Sequence, residues 1–240
     1  MLSRIGDNKN WYFFKRFKLT LYRNKNLNES TTIKDYTGKT MPAIKVFSAG
    51  IKFLKDHLFN HFQDRIQYMR DSDIHWVLTL PAIWDETAKK FMRKSAEVAG
   101  IQSDMLTLAL EPESAALYCQ LGEHITGLKP LKPGEKFLLL DCGGGTVDVT
   151  VHEVRQDKAL KEIHRASGGT WGGIKLDDAF QEHLLEMFDY ELIEALPKSD
   201  VLELEKSFES LKKRANTIER SYTMQIPLLL RRHAEQSMIL

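Results

Sequence analysis

The sequence predicts an α/β protein with helices packed on a sheet, and three observations carry that expectation. Runs with the period of a strand alternate along the chain with runs of helical period. Two of the strand-like runs, 136–141 and 147–154, flank the glycines of "FLLLDCGGGTVDVTV" (137–151). Of the 240 residues 42% are hydrophobic and 28% charged, enough to build a core in one large or two small domains.

Taken in order, "WYFFKRFKLTLY" (11–22) reads as a strand with Phe17, Leu19 and Leu21 on one face, and 23–40 as loop or irregular hairpin. Beyond Pro42, Phe47, Ile51, Leu54, Leu58 and Phe62 form an apolar helical stripe. A strand at 74–80 is stopped by Pro81. A helix then runs from an Asp85 N-cap to Gly100, a residue suited to the position after a helix end. Residues 105–110 read as a short buried strand, followed by a helix opened by Pro112 and closed by Gly122. Helical patterns at 177–195 and 199–220 follow a second glycine-rich segment.

Charge and cysteine content narrow the possible partners. A net charge of +1 gives no whole-protein field toward nucleic acid or an anionic membrane, and no apolar run is long enough to span a bilayer. Two cysteines are too few for a disulfide framework, so Cys119 and Cys142 are expected as free thiols in a cytoplasmic setting, with Cys142 buried on the strand face opposite Asp141. His57 and His61 have metal-binding spacing on a helix without a third ligand, which reads as a solvated face.

The glycine segment is neither a P-loop nor a dinucleotide fingerprint, because it lacks the GxxxxGK[ST] pattern and its glycines lead into a strand. In a strand–turn–strand setting, Asp141 at the strand mouth can hold a hydrated Mg²⁺, and Asp148 lies on the face that reaches the same water shell. Gly143, Gly144 and Gly145 let backbone amides approach phosphate oxygens, and Thr146 adds a hydroxyl. A plain hairpin with Asp141 as a turn acceptor fits the same residues, so the motif alone leaves both readings open.

The segment "LLLDCGGGTVDVTV" resembles the second phosphate motif of the 70-kDa heat-shock protein family. "WVLTLPAIWDETAKKFMRKSAEVAGI", "LALEPESAALY" and "ASGGTWGGIKLDDAF" resemble three further segments of that family in the same order. Details such as "PAIW" and "LEPE" are most similar to its heat shock 70 kDa protein 12 branch, and the likeness spans about residues 10–220. It implies an actin-like, ribonuclease-H-like ATPase fold in an incomplete two-lobed nucleotide-binding domain. Residues 1–131 would be the remainder of the first lobe and 132–240 the second.

The resemblance also implies roles. Asp141, Glu111 and Asp148 would be catalytic, with Asp141 and Asp148 outer-sphere to Mg. Gly143, Gly144, Gly145, Thr146, Gly168 and Gly169 would contact phosphates, and Glu209, Lys212 and Lys213 would grip adenosine. Pro81 and Lys89 fall where the family has a proline switch and a basic relay residue. The implied ligands are ATP or ADP with Mg, and the implied partners are protein clients or co-chaperones. The family's first phosphate hairpin and its associated lysine are not found, so weak or absent hydrolysis is expected. A non-catalytic regulatory or scaffold protein, or a truncated inactive fragment, is the alternative.

Overall fold

The computed structural model describes residues 11–22, 24, 26–62, 70–120, 127, 129–216, 218 and 221–237. They fall into two compact units, one of Tyr12–Gly172 and the other including Gly173–Leu240. The boundary expected at 131/132 divides lobes by family pattern, whereas the compact units part at 172/173.

The first unit opens with a correction. Phe17–Leu21 is a short 3₁₀ helix and not a strand, entered through Arg16 at φ 58°. Its winding still turns Phe17 and Leu21 into the core, so spacing that suited a strand served a tighter helix. A small antiparallel hairpin follows, β1 (Thr32–Lys34) with β2 (Thr40–Pro42). Asp35 pins it: its carboxylate accepts from the amides of Phe13, Thr37 and Lys39 and from the Thr37 hydroxyl. Burial pushes this carboxyl up, but those hydrogen bonds together outweigh burial and hold it below the usual aspartate range.

Helix α1 (Ala43–Phe62) buries Ala43, Val46, Phe47 and Lys55. Of the expected stripe Phe47 is buried and Ile51 packs against the core, while Leu54 is exposed. Lys55 takes the inward position because Asp71 (2.6 Å) and the Gly100 carbonyl (2.7 Å) accept from its ammonium. Strands β3 (Trp76–Leu80) and β4 (Leu106–Leu110) pair in parallel around helix α2 (Glu86–Val98). Asp85 caps α2 by accepting from the Ala88 amide at 2.8 Å, and Gly100 follows its end at φ 86°, both as expected. Phe47 sits edge-on between Phe17 and Phe91, which ties α1 to α2 and to the 3₁₀ turn.

Helix α3 (Glu111–Cys119) begins directly at the end of β4 with Pro112 in its first turn; Gly122, expected to close it, lies outside the described residues. The antiparallel meander β5 (Lys136–Cys142), β6 (Val147–Val154) and β7 (Leu160–Gly169) completes the unit. The second unit contains α4 (Gly173–Met187), α5 (Tyr190–Glu194), α6 (Lys198–Arg214) and α7 (Leu228–Ser237), packed around Leu184, Phe188, Leu196, Leu204 and Leu230. Among the described residues no helix is long and apolar enough to cross a membrane.

Candidate functional site

The β5–β6 hairpin sets Asp141 directly opposite Asp148, so the two carboxylates project from one face of the sheet. Asp148 is 2% exposed, and its Oδ1 accepts from the Ile83 amide at 3.1 Å. Two facing carboxylates, one of them buried, form an all-oxygen donor set of the kind a hard divalent cation favours. Among the described residues no three His, Cys, Asp or Glu side chains form a metal cluster.

The turn between the aspartates is built by close backbone approach. The Gly143 amide donates to the Thr146 carbonyl at 2.9 Å, so this amide closes the turn and is not among those open to a phosphate. A Cβ on Gly145 would lie 2.7 Å from Leu19 Cδ2, while one on Gly144 would meet nothing within 4 Å. The second glycine segment lies against the first: a Cβ on Gly172 would stand 2.5 Å from the Gly143 carbonyl oxygen and 2.7 Å from Gly144. Gly168, opposite Asp148, is tighter still, since a Cβ there would come 2.1 Å from the Val147 oxygen. Trp171 stacks on Gly169 with its indole largely in solvent. These glycines are needed for space, and a turn with its middle open is what the spacing leaves.

Glu111 arrives by a different route. β3 and β4 end together, Leu80 beside Leu110, and Glu111 is the next residue along β4. The loop after β3 carries Ile83, which binds Asp148, so the ends of the parallel pair and the glycine hairpin are linked in one unit. Glu111 Oε1 accepts from Lys18 Nζ at 2.7 Å, and Lys18 also lies 5.6 Å from the Trp84 ring centroid. Lys18 is a candidate functional residue that the sequence did not show. Nothing local marks it, because its partner lies 93 residues away.

In the second unit, Glu209, Lys212 and Lys213 meet on one face of α6. Lys212 Nζ reaches Glu209 (2.6 Å) and Asp177 of α4 (2.8 Å), and Lys213 reaches the other Glu209 oxygen at 3.3 Å. Burial lowers the Lys212 ammonium, but hydrogen bonds to Asp177 and Glu209 outweigh it and raise it above the usual lysine range. Those to Lys212 and Lys213 hold the Glu209 carboxyl below its usual range.

Other singled-out residues resolve differently. The Pro81 side chain is fully buried, and Lys89 pairs with Glu86 at 2.8 Å on its own helix. Cys142 lies on the strand face opposite Asp141, but it is exposed and not buried. That face also shows Leu138 and Leu140 to solvent. His57 and His61 stand exposed on α1 with stacked rings.

The Hsp70 protein family model matches residues 10–234. The chain belongs to the Hsp70 family. It is similar to human Heat shock 70 kDa protein 12B, with 31% identity covering 77% of this chain and 35% of that protein. Human Heat shock 70 kDa protein 12A is 29% identical, covering 93% of this chain and 41% of the relative. The Chaperone protein dnaK of Guillardia theta is 28% identical over 78% of this chain and 29% of its own length. The chain thus spans well under half of these Hsp70 relatives. Membership in Hsp70 carries the actin-like ATPase fold, in agreement with the mixed parallel and antiparallel strands and their helices.

Proposed function

We propose that this Hsp70-family chain binds ATP or ADP with Mg²⁺ at the Asp141–Asp148 hairpin and hydrolyses ATP slowly or not at all. The observation that carries the proposal is the cross-strand pair Asp141/Asp148 flanking a glycine turn whose middle is open. In this reading the amides of Gly144, Gly145 and Thr146 receive phosphate oxygens, and Gly168 and Gly169 allow the second segment to lie close. Mg²⁺, when bound, neutralises phosphate charge. Asp141 and Glu111 orient a water and accept its proton as the water oxygen bonds to the γ-phosphorus and the bond to ADP breaks. Lys18 holds Glu111 in place.

Phosphoryl transfer is stabilised by charge from several sides at once. Slow hydrolysis is proposed for a stretch in which, among the described residues, a single glycine turn faces the aspartate pair. Chaperone work on protein clients, with co-chaperones and in the cytoplasm, belongs to the same proposal and rests on family likeness.

A thermal-shift titration with Mg-ATP and Mg-ADP tests binding, and nucleotide at about 100 times its Kd stabilises by about 2.7 kcal/mol. A single-turnover assay with excess protein tests hydrolysis. No shift with millimolar nucleotide overturns the binding claim, and turnover at the rate of an intact family ATPase overturns the slow-hydrolysis claim.

A further inference from the structure

We propose that the first unit binds a small phosphorylated polyol, of the sugar phosphate class, in a cavity between the edge of β1 and the 3₁₀ helix Phe17–Leu21. The cavity, of about 440 Å³, is lined by Lys15, Thr20, Asn24, Thr31, Thr32 and Lys34 among others. It exists because the chain parts from the strand edge. Phe13 lies beside the end of β1: its carbonyl accepts from the Tyr36 amide at 2.8 Å, and its amide donates to Asp35 Oδ2 at 3.3 Å. At Arg16, with φ 58°, the backbone turns off into the 3₁₀ helix and leaves the rest of that edge facing a gap.

Which groups face the gap follows from the β1–β2 ladder. The Asp35 amide donates to the Lys39 carbonyl and the Ala43 amide to the Thr31 carbonyl, both at 2.8 Å, which makes Ile33 and Met41 the bonded pair between them. Thr32 and Lys34 alternate with these positions, so their amides and carbonyls point away from β2. Pro42 opposite Thr32 agrees with this, since it has no amide to give. Among the described residues neither the Lys34 ammonium nor the Thr32 hydroxyl has a partner. The Thr31 hydroxyl oxygen accepts from the Asn28 amide at 2.9 Å, which leaves its proton to donate.

Two lysines and two edge amides suit an anion, and no carboxylate is among the described residues that line the cavity. Asp35, next to Lys34, is taken up by Phe13, Thr37 and Lys39. The edge carbonyls and threonine oxygens call for an occupant with several donors, which hydroxyl groups supply. The volume lies in the range of small-molecule pockets and leaves room for a body beyond the anionic head. A phosphate monoester of a polyol meets all three demands. Among the described residues the cavity shares no lining residue with the Asp141–Asp148 hairpin, so this inference stands apart from the nucleotide reading.

The test is a titration of the whole isotope-labelled chain with glucose 6-phosphate, in EDTA and without Mg²⁺, followed by amide NMR. The amides of Thr32 and Lys34 are expected to shift and saturate with a Kd of about 1 mM or tighter. Inorganic phosphate and glucose are each expected to bind about tenfold more weakly or worse. Lys34→Met, at an exposed position, is expected to weaken glucose 6-phosphate binding about tenfold, and its amide spectrum reports directly that the variant is folded. Asp141→Asn is expected to bind as the unaltered chain does, which separates this cavity from the nucleotide hairpin. No saturable shift at Thr32 and Lys34 by about 10 mM, unchanged binding by Lys34→Met, loss of binding in Asp141→Asn, or equal binding of inorganic phosphate overturns the proposal.

Discussion

The glycine hairpin of the first unit and the charged face of α6 in the second are two ways to present groups to a ligand. The hairpin is made of backbone: its shape depends on atoms approaching to distances that a methyl group would fill. The α6 face is made of long side chains that satisfy one another, with Glu209, Lys212, Lys213 and Asp177 in a single network. A backbone site fails sharply on small changes, whereas a side-chain network re-forms around them.

Substitutions ordered by expected effect sharpen that contrast. Gly168→Ala places a methyl 2.1 Å from the Val147 oxygen, and the hairpin must open to admit it. The expected loss is about 3 kcal/mol or more in urea unfolding, and wild-type stability would break the backbone account. Asp148→Ala removes the buried acceptor of the half-buried Ile83 amide and is expected to cost about 2 kcal/mol in the same measurement. Asp141→Asn is expected to leave the melting temperature nearly unchanged and to remove most of the shift caused by Mg-nucleotide, since among the described residues no hydrogen bond like that of Asp148 to Ile83 holds Asp141.

Asp35 offers a pH test. Its folded carboxyl titrates below its unfolded one, so its contribution is complete above the unfolded value and is lost as pH falls through the folded value. Melting temperatures of Asp35→Asn are expected to vary less with pH than those of the unaltered chain between about pH 5 and pH 2. The smallest effect belongs to α6: Lys212→Met is expected to cost under about 1 kcal/mol, because its partners remain close to solvent. Glu209 is held down and Lys212 up, so this network contributes in the neutral range and weakens at acid pH as Glu209 protonates.

What was legible from sequence follows the same division. The hairpin was readable because strand, glycines and strand are contiguous, and its register then follows from a short turn. The Asp85 cap and Gly100 were readable because helix ends are local chemistry. The α1 stripe was legible at Phe47 and Ile51, but the inward Lys55 was not, because it looked like a solvent residue until Asp71 and Gly100 closed on it. Lys18 was invisible for the same reason, its meaning lying in Glu111 across the fold. The segment 11–22 misled because Phe17, Leu19 and Leu21 satisfy a period of two while the backbone winds into a 3₁₀ turn.

Cys142 stands next to Asp141 in the chain and on the other side of the sheet, in solvent. It is a built-in labelling position. With Cys119→Ser removing the second thiol, a maleimide dye at Cys142 would sit one residue from the proposed phosphate turn without entering it. Such a dye would turn each nucleotide arrival into a change of fluorescence in real time.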